Sequence, residues 1–170
     1  ASLPEFGNLV FAPSSGSPGT FENNVAAAPF YNGLVVRGDL TIDLQQPLAQ
    51  DISFATGSTV SRTHTIDGDL NIANNRTIVI IQSGDAVSST TGTVNIGGNL
   101  NNNTGFLFAL GYAATNSGTA IINLSGDINN FSGLISTGLS TVGLYTLNFV
   151  GTSPQSFNNS SGTLTNTDRQ

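Results

Sequence analysis

The chain has 170 residues, of which only 8% are charged, and its formal net charge is −6. Gly, Asn and Thr number 20 each and Ser 19, whereas Lys, Cys, Met and Trp are absent. Four basic residues against ten acids leave no basic face for nucleic acid or an anionic membrane, and the lack of cysteine removes disulfides, thiolate zinc sites and iron–sulfur clusters.

Ala1 is preceded by no basic or apolar leader, which reads as a mature or excised segment. Residues 1–33 are expected to form an N-terminal cap or an irregular first coil. Phe6, Leu9, Val10 and Phe11 are apolar, and Gly16-Ser17-Pro18-Gly19 is a loop. Val25-Ala26-Ala27-Ala28 is the best local helix former, but Pro29 ends it.

From residue 34 the chain repeats. Val36-Arg37-Gly38-Asp39-Leu40-Thr41-Ile42 is followed by Ile66-Asp67-Gly68-Asp69-Leu70-Asn71-Ile72, Ile96-Gly97-Gly98-Asn99-Leu100 and Leu124-Ser125-Gly126-Asp127-Ile128. A weaker fifth copy is Leu147-Asn148-Phe149-Val150-Gly151. The apolar residues alternate, as on a strand with one buried face. A second apolar cluster follows each glycine: Ile52 and Phe54, Ile78 to Ile81, Phe106 to Leu110, and Phe131 to Ile135. The longest apolar run, Phe106–Leu110, is far short of the ~20 residues that span a bilayer, so no membrane insertion is expected.

A unit of ~25–30 residues with two or three short strands cannot bury its apolar face alone, whereas stacked copies cover one another. The expected fold is all-β, a parallel β-helix of about five coils over residues 34–157. The polar residues 158–170 are expected to form a C-terminal tail. The structural repeat positions are Gly38, Gly68, Gly98, Gly126 and Gly151, with Leu40, Leu70, Leu100 and Ile128 stacked inside. The alternative is an antiparallel β-sandwich, which explains the strand count but not the recurring glycine.

Leu147-Asn148-Phe149-Val150-Gly151-Thr152-Ser153-Pro154-Gln155-Ser156-Phe157-Asn158-Asn159, with Val35–Ile42 and Phe6–Val10, carries a family resemblance. These segments resemble the β-strand repeat regions of large secreted surface proteins of Bacteroidota, of the type IX secretion kind. The resemblance implies a β-helical stalk or adhesin segment of a longer extracellular protein, not an enzyme.

Candidate sites are few. Arg37-Gly38-Asp39 spells an adhesive tripeptide, but Gly-Asp recurs at Gly68-Asp69 and Gly126-Asp127, so the repeat accounts for it. Asp39, Asp69 and Asp127 share one repeat position with Asn99, and stacking would gather carboxylates that a calcium ion could relieve. They lack the further ligands of a calcium loop, and the favoured role is bonding to turn amides. His64, the single histidine, is expected to be an exposed strand residue. No catalytic residue and no cofactor is expected.

The expected function is a non-catalytic stalk, spacer, filament or adhesin segment. Its expected partners are other copies or neighbouring repeats, end to end. The alternative is a β-helix that binds or cleaves a surface polysaccharide. Cleavage needs a basic residue or paired carboxylates. The mid-chain bases are Arg62 and Arg76, and the carboxylate pairs are Asp67 with Asp69 or Asp69 with Asp39. Tyr31, Tyr112 and Tyr145 could stack on sugars. The apolar last strand, followed only by Ser, Asn and Thr, leaves an end that something must meet.

Overall fold

Short runs of alternating apolar and polar residues, broken every few positions by Gly, Asp or Asn, favour short strands joined by tight corners. The computed structural model describes residues 5–12, 33–43, 50–56, 61–74, 77–83, 90–110, 118–136 and 143–165. The expected helix former at Val25–Ala28, the loop at Gly16–Gly19 and the end of the tail lie outside them.

Along the chain run β1 (Glu5–Phe6), β2 (Leu9–Phe11), β3 (Val35–Val36), β4 (Leu40–Ile42) and β5 (Gln50–Thr56). Next come β6 (Arg62–Ile66), β7 (Leu70–Ile72), β8 (Thr77–Ser83), β9 (Thr91–Ile96), β10 (Leu100–Asn102) and β11 (Phe106–Leu110). The last are β12 (Thr119–Leu124), β13 (Ile128–Asn130), β14 (Leu134–Ser136), β15 (Leu144–Phe149), β16 (Phe157–Asn159) and β17 (Thr163–Thr165). They form three sheets with neighbour orders β1-β3-β6-β9-β12-β15, β2-β4-β7-β10-β13-β16 and β5-β8-β11-β14-β17. From β3 onward each pass of the chain visits the first, second and third sheet in turn, and every strand lies parallel to its counterpart one pass away. All pairings among the described residues are parallel, which excludes the antiparallel sandwich.

The register follows the repeat. Leu40 pairs with Leu70, Leu70 with Leu100, and Leu100 with Ile128. These four, with Val36, Ile66, Ile96, Val94, Ile122 and Leu124, form the core together with Leu34, Phe54 and Leu107. Each fully buried aliphatic side chain contributes roughly 1.5–3 kcal/mol by leaving water.

The corners between the first two sheets stack on glycine. The Gly68 N–H donates to the Gly38 carbonyl at 2.9 Å, Gly98 to Gly68 at 2.8 Å, and Gly126 to Gly98 at 2.9 Å. A Cβ on Gly68 would stand 2.7 Å from the Gly38 carbonyl carbon, and one on Gly126 would stand 2.5 Å from the Gly98 oxygen. The glycines recur because backbone meets backbone there, leaving no room for a side chain.

Of the cap or irregular first coil expected over residues 1–33, the described residues 5–11 supply strands to the first and second sheets, as a first pass would. At the other end, Phe157–Asn159 and Thr163–Thr165 pair with β13 and β14, so strands continue well into the segment expected as a tail. The reason is local: Phe157-Asn158-Asn159 repeats the pattern of Ile128-Asn129-Asn130.

Candidate functional site

The corner carboxylates form a hydrogen-bonded column. The Asp39 N–H donates to Asn8 Oδ1 at 2.9 Å, the Asp69 N–H to Asp39 Oδ1 at 2.8 Å, and the Asn99 N–H to Asp69 Oδ1 at 2.6 Å. The column continues with the Asp127 N–H to Asn99 Oδ1 at 2.8 Å and the Ser156 N–H to Asp127 Oδ1 at 2.6 Å. Asp69 Oδ2 also accepts from Asn101 Nδ2 at 3.1 Å. Each of these side chains therefore accepts a backbone amide of the next pass, which offsets the repulsion between stacked carboxylates. Among the described residues no three His, Cys, Asp or Glu side chains gather as a metal site.

Arg37 does not stand out as a tripeptide tip. Its guanidinium bridges Glu5 at 2.8 Å and Asp67 at 3.1 Å, linking three passes on the surface. Hydrogen bonding and the charge of Arg37 hold the Glu5 carboxyl below the usual carboxylate range, and the two acids raise the guanidinium pKa. Such exposed pairs contribute little to stability.

His64 is a correction. It is 1% exposed and points into the core with Arg62 and Ile66, because the alternation of β6 places all three on the inner face. The Leu34 N–H donates to His64 Nδ1 at 3.1 Å, and the Phe54 ring meets the imidazole edge-on at 5.2 Å. Burial pushes its pKa down to about 4, the charge of Arg62 adds to this, and the Phe54 backbone opposes it. Arg62 is 3% exposed, and burial lowers its pKa too. Gly92 and Ala120 follow Arg62 in register, so small residues leave space beside the buried guanidinium. His64 is held by the Leu34 amide and the Phe54 ring, and both His64 and Arg62 face the interior rather than the outer surface of the first sheet.

Three asparagine ladders run between passes, and the sequence reading did not identify them. On the outer face of the second sheet, Asn101 Nδ2 donates to Asn71 Oδ1 at 2.8 Å, Asn129 to Asn101 at 2.9 Å and Asn158 to Asn129 at 2.9 Å. On the outer face of the first sheet, Asn123 donates to Asn95 and Asn148 to Asn123, both at 2.8 Å. The third ladder is internal and runs the other way. Asn102 Nδ2 donates to Asn130 Oδ1 at 3.1 Å, and Asn130 Nδ2 donates to Asn159 Oδ1 at 2.8 Å. The signal lay in parity: counting by two from Leu100 and Ile128 puts Asn102 and Asn130 inside.

The last corner is built differently. Gly151 lies after the last strand of the first sheet, and its N–H donates to Gln155 Oε1 at 3.1 Å rather than to a stacked glycine. Gln155 Nε2 donates to the carbonyls of Leu124 at 3.0 Å and Gly126 at 2.6 Å. The side-chain amide thus takes the place of the next glycine N–H on Gly126.

Beyond it lies an apolar face. Tyr145, Leu147 and Phe149 stand in register with the inward-facing Ala120, Ile122 and Leu124, and Phe157 with Ile128. All four are between 39% and 48% exposed. Tyr145 therefore belongs to this end, while Tyr31, Tyr112 and Arg76 lie outside the described residues. On the outer face of the first sheet an open groove of about 510 Å³ is lined by Thr65, Asp67, Asn95, Asn123, Ser125 and Val150, among others. Compared with known proteins, the chain matches no family model, no curated protein and no solved structure.

Proposed function

We propose that the chain is a non-catalytic structural segment of an extracellular, cell-surface protein, a stalk or spacer in which the passes wind as coils of a parallel β-helix. The cyclic visiting of three sheets, with every partner one pass away, supports the winding. The observation that carries the function is the column Asn8–Asp39–Asp69–Asn99–Asp127–Ser156. Side chains suited to acid–base or metal chemistry accept amides of the next pass, which is a holding role. A surface rich in Asn, Thr and Ser with 8% charge suits an exposed extracellular rod.

A second reading has one observation in its favour. The groove floored by Thr65, Asn95 and Asn123 offers amides and a hydroxyl to a neutral glycan. Incubation of the chain with acidic and neutral polysaccharides tests both readings. The spacer reading expects no new reducing ends or unsaturated products and no saturable binding. Turnover lost on replacing Asp67 and Asp69 overturns it. Binding without turnover, lost on Asn123→Leu, moves the role to glycan attachment.

A further inference from the structure

The ladders have a direction, and the direction leaves specific groups at the C-terminal end. In both outer ladders the later Asn donates to the Oδ1 of the earlier one, so the last members, Asn148 and Asn158, keep their Oδ1 acceptors facing the next position. In the inner ladder the earlier Asn donates to the later. Asn159 Oδ1 is filled by Asn130, and one Asn159 N–H goes to the Gly162 carbonyl at 2.9 Å. Its second N–H is left for the next position. These groups surround the exposed Tyr145, Leu147, Phe149 and Phe157, which continue the core columns.

The chain's own first pass does not match that pattern. Register carries the Asn158 column back through Asn129, Asn101, Asn71 and Thr41 to Val10. It carries the Asn159 column back through Asn130, Asn102, Ile72 and Ile42 to Phe11. The Asn148 column runs back through Asn123, Asn95, Thr65 and Val35 to Glu5. Val10 and Phe11 have no side-chain polar group, and the Glu5 carboxylate, held ionised by Arg37, cannot donate to Asn148. A second copy stacked first pass onto last would leave the Asn159 N–H unpaired inside the seam and leave Asn148 and Asn158 to water, whereas an Asn at each place would pair all three.

We propose that the C-terminal end is a selective docking edge for a parallel strand pair carrying Asn at the first-sheet position and apolar-Asn-Asn in the second sheet, and that it discriminates against the chain's own first pass. The apolar face and the strand edge provide the attraction, and the amide ladders provide the selection. This names the partner chemistry of the spacer's end and so rests on the spacer reading, but it fails separately. Polysaccharide turnover would overturn the spacer and leave peptide selectivity to be read on its own.

The test uses the full chain and a fluorescent synthetic peptide with the sequence of residues 119–136, which contains Asn123, Ile128, Asn129 and Asn130. Anisotropy is compared with the same peptide bearing Asn123→Glu, Asn129→Val and Asn130→Phe. The native peptide should bind, and the substituted one should bind roughly tenfold or more weakly, because three side-chain hydrogen bonds are lost. Asn158→Val in the full chain should narrow that ratio. Equal binding of both peptides, binding of neither, or self-association of the chain that the native peptide does not displace overturns the proposal.

Discussion

Asn102 stands in register with Ile72 in the second sheet, and its buried Oδ1 has no hydrogen-bond donor. The inner ladder begins at this fault. Below it the column is aliphatic, Ile42 and Ile72, and above it Asn130 and Asn159 continue in amide. An apolar neighbour cannot donate, so the first Asn of such a column carries the cost of burial on one side.

That asymmetry predicts unequal costs along the ladder. Asn130→Leu removes the acceptor for Asn102 Nδ2, the donor to Asn159 Oδ1 and the bond to the Gly133 carbonyl. Asn102→Leu moves the fault up by one pass and loses the bond to the Leu134 carbonyl. Urea unfolding should show Asn130→Leu costing about 2–4 kcal/mol and Asn102→Leu about half as much. Equal costs would contradict the ladder.

Leu70 is 0% exposed at the centre of its column, whereas Leu147 is 39% exposed at the end. Leu70→Ala should cost ~2–5 kcal/mol and Leu147→Ala under about 1 kcal/mol. A cost below about half a kcal/mol at Leu70 would mean the register is displaced by one residue.

The buried imidazole gives stability a pH dependence. The folded pKa of His64 is pushed down to about 4, below its ordinary 6.5. Between those values the unfolded chain binds a proton that the folded chain does not. Stability is therefore full above pH ~6.5, falls as pH drops toward ~4, and levels off below, with a loss of roughly 3 kcal/mol. Carboxylates titrate near the lower limit, so the comparison is with His64→Phe. Urea midpoints from pH 7.5 to 4.5 should slope more steeply for the native chain than for the variant, and parallel slopes would place His64 in water.

Column carboxylates act as acceptors, and an amide oxygen serves as well, as Asn99 does among them. Asp39→Asn, which keeps the one side-chain oxygen that the Asp69 amide uses, should stay within about 0.5 kcal/mol of the native chain with or without calcium. Asp69→Ala should lose about 1–2 kcal/mol, because the Asn99 amide loses its acceptor and Asn101 loses one of its two Nδ2 bonds while keeping the one to Asn71. A melting temperature that rises with calcium and falls to the apo value on Asp39→Asn would assign the column to a metal instead.

The repeat was legible where side-chain type and burial agree. Leu40, Leu70, Leu100 and Ile128 announce an inner column because each follows a Gly-Asp or Gly-Asn corner. His64 and Arg62 were misleading because polar residues in Arg62-Thr63-His64-Thr65 read as an exposed strand. Parity with Ile66 places them inside, and only the space left by Gly92 and Ala120 explains how the arginine fits. Asn102 and Asn130 were hidden among neighbouring asparagines, since a sequence of turn formers does not say which one faces inward. Gln155 could be read as part of a motif, but its reach back to Leu124 and Gly126 depends on the passes being stacked.

The stacking itself is tested most directly by distances along one outer column. The chain has no cysteine, so paired cysteines can be introduced with Val10 as the fixed end and Asn101, Asn129 or Asn158 as the other. In register these lie three, four and five passes apart. Electron–electron spin distances should rise in equal steps of ~4.8 Å, from about 14 to about 19 to about 24 Å between backbones. Distances that fail to rise with pass number, or steps of ~10 Å as between packed sheet faces, would contradict the column.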